Sequence, residues 1–262
     1  MSTLLEAVPA AGMVLASYLY VRAYRRGGPV DTRRLLAFLL GAGLLVTALF
    51  SPLESVAGES LAAHMGQHVL LVLAPLPLLA ARTGTAMLLG IDPALRARLT
   101  GRLRRLRPWL GKVERRPWAW AALAATLAIW HLPAIFQAAA LSPLLHGLEH
   151  LTFLGAAGLW WMSLLGTGRR RARAYGASIL SVFGTMLLGT AVGALLTFST
   201  RPWYPLYAAR VEAAGGDWLV DQQLAGLVMW IPPGVVLLGV CVWLAREWLE
   251  SVDRSRPRKV PT

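Results

Sequence analysis

Stretches of about 20 apolar residues recur along the chain, long enough at 1.5 Å per residue to cross a bilayer core of ~30 Å. That repetition constrains the fold more than any motif does. Of the 262 residues, 56% are hydrophobic and 15% charged, and the mean hydropathy is +0.54. A chain of one or two soluble domains, which length alone would allow, is therefore excluded. The expected architecture is an all-α polytopic membrane protein, a single seven-helix transmembrane domain over residues 1–262. Its spans fall near 4–24, 34–51, 60–82, 117–138, 142–166, 174–198 and 220–247. The first stretch lacks a basic leader and a clear cleavage site and reads as a retained span, not a signal peptide.

The basic residues give the spans a direction. Of the 26 lysines and arginines, all but Arg201 and Arg210 fall in the first, third and fifth connectors or the tail. Lys and Arg accumulate on the cytoplasmic side, so the expected topology is N-terminus outside and C-terminus cytoplasmic. An even number of spans would break the alternation. The net charge of +13, which in a soluble chain would suggest nucleic acid, here orients the protein in the bilayer. The third connector, at about 83–116, places Leu95, Leu99, Leu103 and Leu106 at helical spacing among arginines, a basic amphipathic helix suited to the membrane surface. Pro232 and Pro233 are expected to kink the last span. Gly184, Gly189 and Gly193 are expected to allow close helix contact. Cys241, the single cysteine, offers no disulfide and no thiolate cluster, and reads as a small packing residue.

Five histidines are the informative polar residues, since an ionisable side chain inside a membrane is costly and commonly functional. In the expected topology all five lie in the outer leaflet. His64 and His68 fall ~6 and ~12 Å below the outer end of the third span, and His131 falls ~9 Å down the fourth. The fifth span opens at Ser142 as N-cap with Pro143 in the first turn, which puts His146 and His150 at ~6 and ~12 Å. Each pair has the i, i+4 spacing that stacks side chains on one helix face. Two stacked imidazoles can address one cation, and imidazole is a favoured ligand for copper, zinc, iron and nickel. A packing role for a single histidine such as His131 remains the competing reading.

Other polar groups join the layer. Asp221 is open to three readings: a carboxylate ligand, a partner fixing a histidine tautomer, or a residue placed at its own helix start by the dipole. Glu149, rotated away from its histidine neighbours on the helix, is expected to support the site or pair with another helix and not to ligate. Met65 also turns off the His64–His68 face and is expected to pack. Trp130, Trp160, Trp161, Trp203 and Trp230 suit interfacial belts or helix packing.

Three blocks, "SPLESVAGESLAAHMGQHVLLVLAPLPLLA", "WHLPAIFQAAALSPLLHGLEHLTFLGAAGLWWMSLL" and "YPLYAARVEAAGGDWLVDQQLAGLVMWIPPG", resemble those of the multispanning CtaG cytochrome c oxidase assembly proteins. The likeness covers roughly residues 35–245. It implies a factor of the bacterial plasma (inner) membrane acting when copper enters a haem–copper oxidase. It carries the family's histidine motifs onto His64, His68, His131, His146 and His150, and its acidic–glutamine motif onto Asp221 and Gln222. An unrelated single-span copper chaperone of the same name uses cysteines, which the many spans and the lone Cys241 exclude. The implied partners are cytochrome c oxidase subunits, the lipid bilayer and a copper donor protein, with no nucleic acid. No hydrolytic nucleophile is apparent, so an enzyme is not expected. Two alternatives to a copper protein remain at this point: a haem-binding electron carrier with histidine axial ligands, and a metal-free scaffold for oxidase assembly.

Overall fold

A computed structural model describes residues 2–26, 30–101, 116–165 and 175–255, and among these it contains helices and no strand. The helices are α1 Ser2–Arg25, α2 Thr32–Phe50, α3 Pro52–Ala57, α4 Leu61–Leu73, α5 Pro75–Ala80, α6 Thr83–Gly90, α7 Arg116–Trp130, α8 Pro133–Leu141, α9 Pro143–Leu165, α10 Tyr175–Phe198, α11 Pro205–Ala213 and α12 Trp218–Ser255. Thr32–Phe50, Leu61–Ala80, Tyr175–Phe198 and Trp218–Asp253 are long and apolar enough to cross a membrane, and the bent pair α7–α8 is a fifth candidate. Seven spans are not established on this criterion. On α9, which has 23 residues, the polar side chains His146, Glu149 and His150 dilute the apolar character.

The expected fourth span is not continuous. Its two parts meet at 77°, and the cause is local. Pro133 has no N–H to donate and pushes the preceding residue out of helical conformation; Leu132 accordingly has φ −65° and ψ 126°. His131 is left at the broken end of α7. A milder interruption separates α4 from α5, where Pro75 again removes a backbone donor.

Two short helices fall where the sequence reading had only connectors. α3 starts on Ser51, whose hydroxyl accepts from Leu53 N–H at 3.1 Å. α11 starts at Pro205 and carries Tyr207 and Arg210. Arg210 ties this end of the bundle together, donating to the carbonyls of Gly58 at 2.8 Å and Ala140 at 3.4 Å.

α10 and α12 pack along each other, and two glycines set how close they come. A methyl group on Gly193 would meet the carbonyl of Gly226 and the Trp230 side chain, and one on Gly226 would meet Gly193 and Thr197. Gly189, by contrast, faces open space, so close contact is not its role. α12 runs as helix through Pro232 and Pro233 to Ser255, beyond the expected end near 247. Trp160 and Trp161 are fully buried in the largest apolar cluster, with Leu164, Val182 and Leu244, and Cys241 packs against it. Leu180, Phe198 and Val235 are instead among many large apolar side chains exposed on the bundle's outside, as a lipid-facing surface requires. In the third connector residues 93–101 are helical, with Leu95 and Leu99 exposed. Leu103 and Leu106 lie outside the described residues.

Candidate metal centre

The centre is assembled by α4 and α9, each presenting its histidine pair from its first two turns. α4 begins at Ser60, which accepts from Ala63 N–H at 3.2 Å, and α9 begins behind Ser142, which accepts from Leu145 N–H at 3.4 Å. Fixing those helix starts fixes where the histidines one turn later point. The two pairs face each other. Ring centroids lie 4.6 Å apart for His64–His68, 4.2 Å for His146–His150, 5.2 Å for His64–His146 and 5.8 Å for His68–His150. His131, from the broken end of α7, comes within 6.0 Å of the His68 ring. All five histidines therefore share one region of the interior.

Glu149 reaches across to the histidines of α4, in keeping with the expected pairing with another helix. It is fully buried, and its carboxylate sits 3.4 Å from His68 Nε2 and 3.6 Å from His64 Nε2. Neither oxygen has a hydrogen-bond partner. Helical rotation alone does not identify those partners; α4 approaches α9 so that His146, Glu149 and His150 all face inward.

The hydrogen bonds around the rings are consistent with one set of tautomers. Tyr207 donates its hydroxyl proton to the Ala57 carbonyl at 3.2 Å, and burial pushes its phenol ionisation up, keeping that proton in place. With the phenol proton on Ala57, the contact of 2.8 Å between Tyr207 oxygen and His64 Nδ1 is donated by the imidazole, and His64 Nε2 carries the lone pair. His131 Nδ1 lies 2.7 Å from the Leu127 carbonyl. A carbonyl only accepts, so His131 Nε2 is also bare, and it has no protein partner. His64 Nε2 and His68 Nε2 are 3.1 Å apart; here His68 donates. His68 and His131 also line a mostly apolar cavity of about 60 Å³ with Val69, Phe153, Met229 and Trp230.

Among the described residues two sets of three side chains could each hold a metal ion: His64, His146 and His150, and His64, His68 and Glu149, with the donor atoms of each set within 4.8 Å of one another. The second set fits well. Two nitrogens bound tetrahedrally at ~2.0–2.1 Å are about 3.3 Å apart, close to the spacing found between His64 and His68.

Asp221 does something else. Its carboxylate accepts from Ser60 Oγ at 2.6 Å, Leu61 N–H at 2.7 Å and Ala62 N–H at 3.4 Å. It caps the start of α4 from the neighbouring helix and holds the histidine helix without approaching the histidine rings, an arrangement none of the three sequence readings included. Gln222 accepts from Trp203 N–H at 2.8 Å and donates to the Arg201 carbonyl at 3.2 Å, pinning the loop before α11. Met65 is fully buried in an apolar cluster, as expected. Glu54, on α3, lies 3.8 Å from His146 Nδ1 and accepts from Gln67 Nε2 at 2.5 Å.

The profile of the family described as Cytochrome c oxidase caa3 assembly factor (Caa3_CtaG) matches residues 16–251. The chain belongs to that family. The matched region takes in every histidine, Glu149, Tyr207 and Asp221, so the Caa3_CtaG resemblance and the buried cluster concern the same part of the molecule. Neither a curated protein nor a solved structure gives a significant match.

Proposed function

We propose that this Caa3_CtaG protein holds copper at the buried histidine cluster and assists its delivery to a cytochrome c oxidase. The observation that carries the reading is the pair of facing imidazole nitrogens, His64 Nε2 and His68 Nε2, with the fully buried carboxylate of Glu149 3.4–3.6 Å from them. A carboxylate with only such long contacts is costly in a low-dielectric interior, and a cation between it and the two imidazoles would offset that cost. An ion held there would take the place of the proton between the two nitrogens, and His68 would then carry its proton on Nδ1.

On this reading the chain resides in the bacterial plasma membrane with seven spans, the N-terminus outside and the C-terminus cytoplasmic. The asymmetry of basic residues supports that orientation, and it puts the cluster near the outer face. The partners are oxidase subunits, which take the ion, and a copper donor protein, which supplies it. The protein's part is binding, orientation and release, with no bond-making step of its own.

Purified protein loaded with copper and analysed for elements, with an absorption spectrum, tests the proposal. Bound copper with no haem band is expected. A haem band without copper would transfer the site to the electron-carrier reading, and neither would leave a metal-free scaffold. In cells, a deletion strain is expected to make oxidase polypeptide but little oxidase activity; normal activity would remove the assembly role.

A further inference from the structure

The two candidate ligand sets are not separate. Both contain His64, and only one of its nitrogens is available, because Nδ1 is engaged by Tyr207. Two ions could not both take a full set. The sets also differ in chemistry: one offers three neutral imidazoles, the other two imidazoles and a carboxylate.

Their burial differs in a direction. The side chain of Glu54 is 43% exposed and that of His146, next to it, 24%. Those of His64, His68 and Glu149 are 2%, 4% and 0% exposed. A path of donors therefore runs from solvent at Glu54 and His146, through His150 and His64, to His68 and Glu149. Nε2 of His146 and of His150 lack hydrogen-bond partners, and the oxygens of Glu149 have only the 3.4 and 3.6 Å contacts to His68 and His64, so both ends of the path present donor atoms open to a cation.

We propose that the cluster is two overlapping cation positions hinged on His64: a shallow one formed by His64, His146 and His150, and a deep one formed by His64, His68 and Glu149. A single copper ion enters at the shallow position and moves to the deep one by exchanging His146 and His150 for His68 and Glu149 while staying on His64. The proton displaced from His68 Nε2 is carried by water to its Nδ1 or to solvent, so the exchange balances. The carboxylate makes the deep position the tighter one, since it opposes the ion's charge where water does not screen it. The shallow position governs entry because it alone reaches solvent. This inference rests on the metal reading above.

The test uses full-length protein in detergent, loaded with cupric ion and titrated by equilibrium dialysis, with electron paramagnetic resonance counting the bound nitrogens. Wild type is expected to bind one ion. Glu149→Gln is expected to keep one ion with a nitrogen-only signature, released to a chelator about 10- to 100-fold faster, the range seen when a ligand's support is lost. The double variant His146→Ala/His150→Ala is expected to keep one ion, with two nitrogens, but to load more slowly. His64→Ala and the milder His64→Asn are expected to lose both positions, with a melting temperature showing that the protein remains folded. Two ions bound at once in wild type would overturn the proposal. So would complete loss of binding in Glu149→Gln, or wild-type binding in both His64 variants. No ion in wild type would instead sink the metal reading itself, which separates the two failures.

Discussion

Tyr207→Phe removes one oxygen and keeps the ring, and that oxygen has two tasks. It accepts from His64 Nδ1–H at 2.8 Å and donates to the Ala57 carbonyl at 3.2 Å. Without it, the His64 proton has no fixed home, and the nitrogen facing His68 can carry it as readily as the other. A metal would then have to select both the tautomer and the ring orientation that the phenol now holds. Loss of such support behind a metal-bound histidine costs about 10- to 100-fold in affinity, which is about 1.4–2.8 kcal/mol. The same change leaves a buried carbonyl and an imidazole N–H unpaired, at about 1–3 kcal/mol each, so the melting temperature is also expected to fall. Chelator competition for copper in purified protein reads the affinity, and a thermal melt in the same detergent reads the stability. Lower stability with unchanged affinity would refute the argument, because it would make Tyr207 a strut for α11 and not a support for His64.

Asp221→Asn is expected to keep bound copper at wild-type stoichiometry while lowering the melting temperature, since a lost cap costs about 0.5–2 kcal/mol; loss of metal in folded protein would restore the ligand reading of that carboxylate. Gly226→Val is expected to lower helical content retained against denaturing detergent, because its side chain would strike Gly193 and Thr197, whereas Gly189→Ala, facing open space, should melt like wild type. A cysteine placed at Leu99 is expected to resist membrane-impermeant thiol reagents in intact cells and to react after lysis; labelling from outside would reverse the orientation and place the cluster near the cytoplasm. Met65→Leu is expected to leave copper binding unchanged in the dialysis assay, as a buried packing residue should.

The helices and the stacking of each histidine pair on one face were legible because both follow from local spacing. Apolar length gives the helix, and i, i+4 spacing gives the face. The break at His131 was legible too, in the "WHLP" sequence, but a span-length window runs over a single proline without registering it. What could not be read is which side of each helix meets which neighbour. Glu149 was expected to support the site or pair with another helix, but helical rotation alone could not say that its partners are His64 and His68 on α4. Tyr207 and Glu54 contact the cluster from short helices that carry no periodic signal, and the Tyr207–His64 bond joins residues 143 apart. Asp221 was open to three roles, as a ligand, a histidine partner or a residue of its own helix start, whereas its carboxylate serves the start of another helix, 160 residues earlier at Leu61. Such pairings depend on tertiary approach, for which one sequence carries no local signature.

Both histidine pairs sit at the beginning of their helices, His64 and His146 each occupying the fourth residue. A helix start carries partial positive charge, worth about 0.3–1 kcal/mol against a nearby cation, and here two such starts converge on one pocket. Asp221 cancels part of that field at α4 only. If the cluster holds a cation as proposed, the scaffold leans against that charge. For a storage protein this placement would be a defect, whereas for a carrier it would shorten the residence time of the cargo, so that a modest competing ligand on a docked recipient would suffice to draw the ion away.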